Sequence, residues 1–172
     1  TGGGNSPGGG LPGNPGVPTP PPPPPKPDPC NDKILGSKAG YSAMQGLFKL
    51  AGYGMKQTER SAWATMNNQG DYSGMVGWPW SAATRTESWD TATSPIPQGT
   101  FANVHTHPIG TVPWPSTTGG RSNLGDLPIN DLGYSVYVLS RQGIFLRAPG
   151  SSEPTKLAGS NWMKESPCGK MK

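Results

Sequence analysis

Residues 1–29 set the strongest limit on the fold, because glycine and proline occupy 20 of these 29 positions. Ordering glycine costs much conformational entropy, and proline donates no backbone hydrogen bond, so this segment cannot build a core. Its glycine-rich start predicts a disordered, flexible linker, and the prolines at 20–25 predict a stiff polyproline II rod. The alternative use of these prolines is as a ligand for SH3-type domains. We therefore predict a linker at 1–29 and one folded domain at 30–172, which is long enough for a single core.

Charge and hydropathy exclude two classes of protein. The formal net charge is only +4, and no basic run is interleaved with stacking aromatic residues, which argues against a nucleic-acid partner. No run of 18 apolar residues occurs, so a transmembrane helix is excluded. The chain begins with Thr1 rather than Met, which indicates a fragment or a processed product.

The only two cysteines, Cys30 and Cys168, bracket the predicted domain. They lack CxxC spacing, which argues against a zinc ribbon or a thioredoxin-like site. A disulfide between them would tie the two ends of the domain together, and two free thiols are the alternative. A disulfide would require an oxidising compartment. Together with the proline-rich linker, this predicts an extracellular or cell-surface location.

Hydrophobic periodicity predicts an α+β fold with a mixed or antiparallel sheet. Four apolar side chains at i, i+3, i+4 and i+7, from Met44 to Ala51, predict a helix in the region that begins at Asn31 and ends before Gly52. Strand patterns follow at 58–66, 72–78, 101–107, 134–139 and 144–147, with a short helical turn at 126–132. Residues 79–100 and 109–125 are rich in turn-forming residues and are predicted as loops.

The two histidines of the chain, His105 and His107, stand two positions apart at the end of a predicted strand. Residues i and i+2 of a strand point to the same face, so both imidazoles can converge on one ion. Two histidines, one carboxylate and an open fourth position form a typical catalytic zinc site. The candidates for the third ligand are Asp126 and Asp131, and a purely structural histidine pair is the alternative.

A zinc hydrolase also needs a base beside the attacking water. Glu59 opens the first predicted strand and is the first candidate for this base, although it could also be a solvated residue at the strand edge. Glu87, in a predicted loop, is the second candidate.

The order of these features resembles the JAB/MPN metalloprotease family with its JAMM motif. That family has a glutamate, a gap, His-x-His-Pro, and then Ser-x-x-Asp at the start of a short helix. Here Glu59 precedes the first strand, His105-Thr-His107-Pro ends a strand, and Asp126 precedes the predicted helical turn. The resemblance covers about residues 33–148. A proline-rich linker before such a domain is also similar to the C-terminal tips of bacterial YD-repeat (Rhs-type) proteins.

The resemblance implies a mixed sheet flanked by helices and a role for each matching residue. His105, His107 and Asp126 would bind Zn²⁺, Glu59 would be the general acid/base, and Ser122 would help to stabilise the oxyanion. The sequence departs from the family pattern in two ways. Eighteen residues separate His107 from Asp126, more than is usual in the family, and Ser122 stands four positions before Asp126, so that Asn123 occupies the expected place of the serine. There are three explanations: an insertion shifts the serine, an asparagine supplies the hydrogen-bond donor in its place, or the site is degenerate.

The leading hypothesis is a zinc-dependent peptidase or isopeptidase that acts on a peptide or protein substrate and is attached to a larger parent protein or filament. The alternative is a non-catalytic structural or binding tip domain that uses a degenerate JAB-like fold. A nuclease toxin that uses the histidine pair fits the low charge poorly.

Overall fold

The computed structural model describes residues 20–23, 25–55, 57–81, 86–87, 89, 93–116 and 126–169. Its helices and strands, in chain order, are α1 (Lys38–Leu50), β1 (Ser61–Met66), β2 (Tyr72–Gly77), β3 (Trp80–Ser81), β4 (Thr86–Glu87), β5 (Thr100–Thr106), α2 (Leu127–Asp131), β6 (Ser135–Ser140), β7 (Gly143–Arg147) and β8 (Thr155–Ala158). Short 3-10 turns lie at Pro29–Asn31 and Gly52–Gly54. The predicted α+β class is therefore confirmed. Within the predicted linker, residues 20–23 and 25–28 are exposed and lie outside any helix or strand, whereas Pro29 is half-buried and begins the first 3-10 turn.

Six strands form one mixed sheet in the order β2-β1-β5-β6-β7-β8, and β3 pairs with β4 in a separate two-stranded sheet. All neighbours in the large sheet are antiparallel except β5 and β6, which run parallel. A parallel pair requires a crossover connection, and here the crossover contains α2. The register aligns one residue from each of five strands in a row across the sheet: Ser61, His105, Val138, Phe145 and Lys156.

The two faces of the sheet have different partners. One face packs against α1, whose buried Met44, Leu47 and Phe48 face Val104 and Leu139 of the sheet. The other face carries buried side chains that are absent from this cluster: Trp63, Asn103, His105, Val136 and Val138. Because side chains alternate along a strand, the histidine of β5 lies on the face opposite α1.

Helix α1 begins at Lys38, so the prediction of helix from Asn31 onward was too long at its N-terminus. Asp32 accepts hydrogen bonds from the backbone N–H groups of Ile34 and Leu35, which holds this stretch in a turn. The Ser37 hydroxyl then accepts from the N–H of Gly40 and caps the helix. Local side-chain bonds of this kind compete with helix formation and delay its start.

Cys30 and Cys168 are free thiols in this structure, and they lie together. Cys168 Sγ donates to the carbonyl oxygen of Leu35 at 3.6 Å, and the backbone carbonyl of Cys30 packs against Gly36. Burial, and then a hydrogen bond with the Cys30 thiol, raise the pKa of Cys168 to about 12. The fold thus brings the two ends of the domain into contact, although it shows no bond between the two sulfur atoms.

None of the helices in the described part of the chain has the length and apolar character needed to cross a membrane.

Candidate metal centre

The two histidines lie where β5 ends, and both residues are buried, each with 7% of its surface exposed. The Nε2 atoms of His105 and His107 face each other at 3.0 Å. Two nitrogen ligands of a tetrahedral zinc ion, each about 2.0–2.1 Å from the metal, are separated by roughly 3.3 Å. The observed spacing of the two nitrogens is therefore close to what one shared ion requires.

Asp126, just before α2, offers the third candidate ligand atom. Its Oδ1 lies 3.5 Å from His105 Nε2, and its Oδ2 accepts from the backbone N–H of Ser116 at 2.8 Å. The Asp126 N–H in turn donates to the carbonyl of Ser116, which fixes the carboxylate in place. The ligand atoms of His105, His107 and Asp126 all lie within 4.8 Å of one another. The structure therefore brings together a group that could hold a metal ion.

Asp131, the other predicted third ligand, is exposed at the C-terminal end of α2 and lies outside this group. Ser122 and Asn123 fall outside the described residues, so the predicted role of Ser122 stays a prediction. Glu87 belongs to the separate two-stranded sheet.

The proton of His107 is assigned by its surroundings. His107 Nδ1 lies 2.5 Å from the carbonyl oxygen of Val112. A carbonyl oxygen only accepts, so Nδ1 carries the hydrogen and Nε2 carries a lone pair. Burial and the neighbouring His105 lower the pKa of His107 to about 4, although the Val112 carbonyl and Asp126 act in the opposite direction. His107 is therefore neutral near pH 7, which is the form that binds a metal.

Glu59 lies two residues before β1 and is solvent-exposed. Partial desolvation raises the pKa of its carboxyl, His105 lowers it, and Asp126 raises it again. Ser61, two residues further along, pairs with His105, so the segment that carries Glu59 lies next to the ligand strand, and Glu59 is not one of the three members of the group. This arrangement suits a base beside the ion better than a fourth ligand.

Asn103 is a residue that the sequence analysis missed. It is fully buried on β5, and its Oδ1 lies 2.8 Å from His105 Nδ1. The available signal was its position two residues before His105, since the strand period places both side chains on the same face. An amide in a strand otherwise rich in buried apolar residues also indicates a specific hydrogen-bonding role.

Comparisons with protein-family models, with curated proteins and with solved structures give no match for this chain.

The low pKa of His107 predicts how the stability of the metal-free domain depends on pH. Between about pH 6.5 and about pH 4 the unfolded chain binds a proton at His107 that the folded chain does not. The free energy of unfolding should therefore fall as the pH is lowered through this window, by up to about 3 kcal/mol from this group. Urea unfolding of the chelator-treated domain at pH 7 and pH 4.5 measures the change. In His107→Gln this part of the pH dependence should disappear, and an unchanged pH dependence in that variant would contradict the assignment.

Proposed function

We propose that this domain is a zinc-dependent peptidase or isopeptidase with a JAB/MPN-like active site. The observation that carries the proposal is the convergence of His105 Nε2, His107 Nε2 and Asp126 Oδ1, with Glu59 two residues before the strand partner of His105. This is the set of residues that the JAMM motif would supply, in the same chain order. Nitrogen and carboxylate ligands suit zinc, and three protein ligands leave a fourth position for water.

A bound zinc ion would act as a Lewis acid toward the substrate carbonyl and would lower the pKa of the attacking water. Asp126 would offset part of the charge of the ion, while His107 is already held in its neutral form. Glu59 would accept a proton from the attacking water and deliver it to the leaving amine. Its raised pKa favours both halves of this transfer, because the group can bind and release a proton closer to neutral pH.

A rim of exposed apolar side chains supports a polypeptide substrate. Tyr53, Met55, Ile109 and Val112 are 45%, 58%, 53% and 42% exposed, respectively. The two loops that carry them are joined by a backbone hydrogen bond from Ile109 to Gly54, and the Val112 carbonyl contacts His107. Exposed apolar clusters beside a polar site are typical of surfaces that bind protein or peptide.

We further propose that the domain works outside the cell or at the cell surface, attached to a larger parent protein or filament through the segment at 1–29. The exposed residues at 20–23 and 25–28 and the contact between the two cysteines support this proposal. The alternative is a non-catalytic tip domain with a degenerate site. The presence of Asn123 at the expected position of the family serine favours this alternative.

Elemental analysis of the purified domain, after incubation with zinc and removal of excess metal, tests the metal centre. We expect about one zinc per chain, and none in a His105→Ala/His107→Ala variant. The matched control is Asp131→Ala, which removes a carboxylate on the same crossover but outside the ligand group and should keep its zinc. A wild-type domain that binds no zinc would overturn the enzyme proposal.

A further inference from the structure

We infer that Asn103 is a positioning residue of the metal centre: its amide fixes the tautomer of His105 and fastens the ligand strand to the segment that carries Glu59. The inference rests on the proposed metal site, but the tautomer it assigns can be measured without any metal.

The orientation of the Asn103 amide follows from its partners on β1. Its Nδ2 lies 2.8 Å from Ser61 Oγ and 3.2 Å from the carbonyl oxygen of Ala62. The Ala62 carbonyl only accepts, so the amide nitrogen faces β1 and the amide oxygen faces His105. An amide oxygen also only accepts. The 2.8 Å contact between Asn103 Oδ1 and His105 Nδ1 is therefore donated by the imidazole.

This hydrogen bond decides which nitrogen of His105 is available to an ion. With the hydrogen on Nδ1, Nε2 is left as the ring nitrogen of His105 that can bind an ion shared with His107 Nε2, 3.0 Å away. With the other tautomer, an N–H group would occupy the space that both rings share, and His105 could not act as a ligand there. Metal-binding histidines are commonly held by such a partner on the second ring nitrogen, and loss of the partner typically costs 10–100-fold in metal affinity.

The same amide connects the ligand strand to the candidate base. Ser61 and Ala62 begin β1, and Glu59 lies two residues before it. One residue beyond His105, Thr106 completes the connection: its Oγ1 accepts from the backbone N–H of Arg60, and its own N–H donates to the Arg60 carbonyl. The backbone on either side of the metal ligand is thereby bonded to residues 60–62, which limits the movement of Glu59 relative to His105.

The complete burial of Asn103 is a second reason to assign its amide a specific hydrogen-bonding role. It is 0% exposed, and burying an amide without hydrogen bonds is strongly unfavourable. Its register partners on the two neighbouring strands are Trp63 and Val136, so an apolar residue would suit the packing of this row. Three hydrogen bonds satisfy the amide, and one of them is made to a metal ligand.

The first test uses the unmodified, metal-free domain. Because the chain has only two histidines, ¹⁵N-resolved NMR of the imidazole rings separates all four ring nitrogens. We expect the hydrogen on Nδ1 in both rings at pH 7. A His105 ring that carries no hydrogen on Nδ1 would overturn the inference. Histidines in the expected tautomer in a domain that binds no zinc would contradict the proposed function alone and leave the role of Asn103 in the tautomer intact.

The second test compares substitutions at Asn103. Asn103→Leu removes both halves of the amide at similar volume, and we expect its zinc affinity, measured by competition with a chromophoric chelator, to fall 10–100-fold. The His105 ring should then populate both tautomers while His107 stays unchanged. Asn103→Asp keeps an oxygen facing His105 and should retain the tautomer, so it serves as the conservative variant if Asn103→Leu does not fold.

Val136→Ala is the matched control, because it removes buried volume beside Asn103 without removing a hydrogen bond. Its stability should fall while its zinc affinity stays within about twofold of the wild type, since none of the ligand partners changes. A folded Asn103→Leu variant with wild-type zinc affinity and an unchanged His105 tautomer would overturn the inference.

Discussion

Replacement of Glu59 by glutamine is expected to lower peptide-bond hydrolysis by about 10²–10⁴-fold while the zinc content stays at the wild-type level. Glutamine has nearly the same shape as glutamate but cannot accept a proton from water. Glu59 lies within electrostatic reach of His105 and Asp126 but outside the ligand group, so its loss should not release the metal. Cleavage of a random-sequence peptide mixture, followed by mass spectrometry, measures the loss of activity, and elemental analysis measures the zinc.

Glu153→Gln is the control for this experiment, because it removes another carboxylate from an exposed position of the domain. It should keep both zinc and activity. Full activity in Glu59→Gln would show that Glu59 is not the proton acceptor, and loss of zinc would make it a ligand instead. A zinc-loaded wild-type domain that cleaves no peptide would favour the non-catalytic tip domain.

Oxidation of Cys30 and Cys168 to a disulfide is expected to raise the free energy of unfolding by about 5 kcal/mol, the loop-closure value for a loop longer than 100 residues. The fold already brings the two thiols close enough to interact, so the bond should need little rearrangement. With oxidised glutathione as the oxidant, each disulfide formed releases two molecules of reduced glutathione. The raised pKa of Cys168 keeps its thiolate scarce, so exchange should be slow unless it begins at the exposed Cys30.

Urea unfolding with and without dithiothreitol measures this difference, and intact mass confirms the loss of two hydrogens. The Cys30→Ser variant keeps one thiol and should show no dependence on the reductant. Equal stability of the oxidised and reduced wild-type domain would contradict the stabilising role of the bond. Failure of the pair to oxidise would remove the support that the cysteines give to an extracellular location.

The sequence predicted well those strands and side-chain directions that follow from the alternation of neighbouring residues. Alternation of side chains located β5 and β6 to within about one residue, and it placed His105 and His107 on one face. The choice between Asp126 and Asp131 could not be made in this way, because it depends on how the crossover folds back onto Ser116. Strand β8 was missed because Thr155–Ala158 has no apolar alternation and is held by its pairing with β7.

Asn103 illustrates a further limit of sequence analysis. A polar residue in a strand pattern is usually assigned to the solvent face, whereas here the face opposite α1 is itself buried. The contacts of its amide with β1 reveal the role of Asn103, and these contacts join residues that are about 40 positions apart in the chain.

The parallel pairing of β5 and β6 has a consequence for the order of events during folding. The two histidines belong to one short stretch of chain, but Asp126 reaches them only after the crossover between β5 and β6 has closed. Closure of such a connection precedes parallel pairing and is intrinsically slow. A metal ion at this centre would therefore bind late in folding. It would keep the crossover closed and slow unfolding, while the rate of folding would be set by the chain alone.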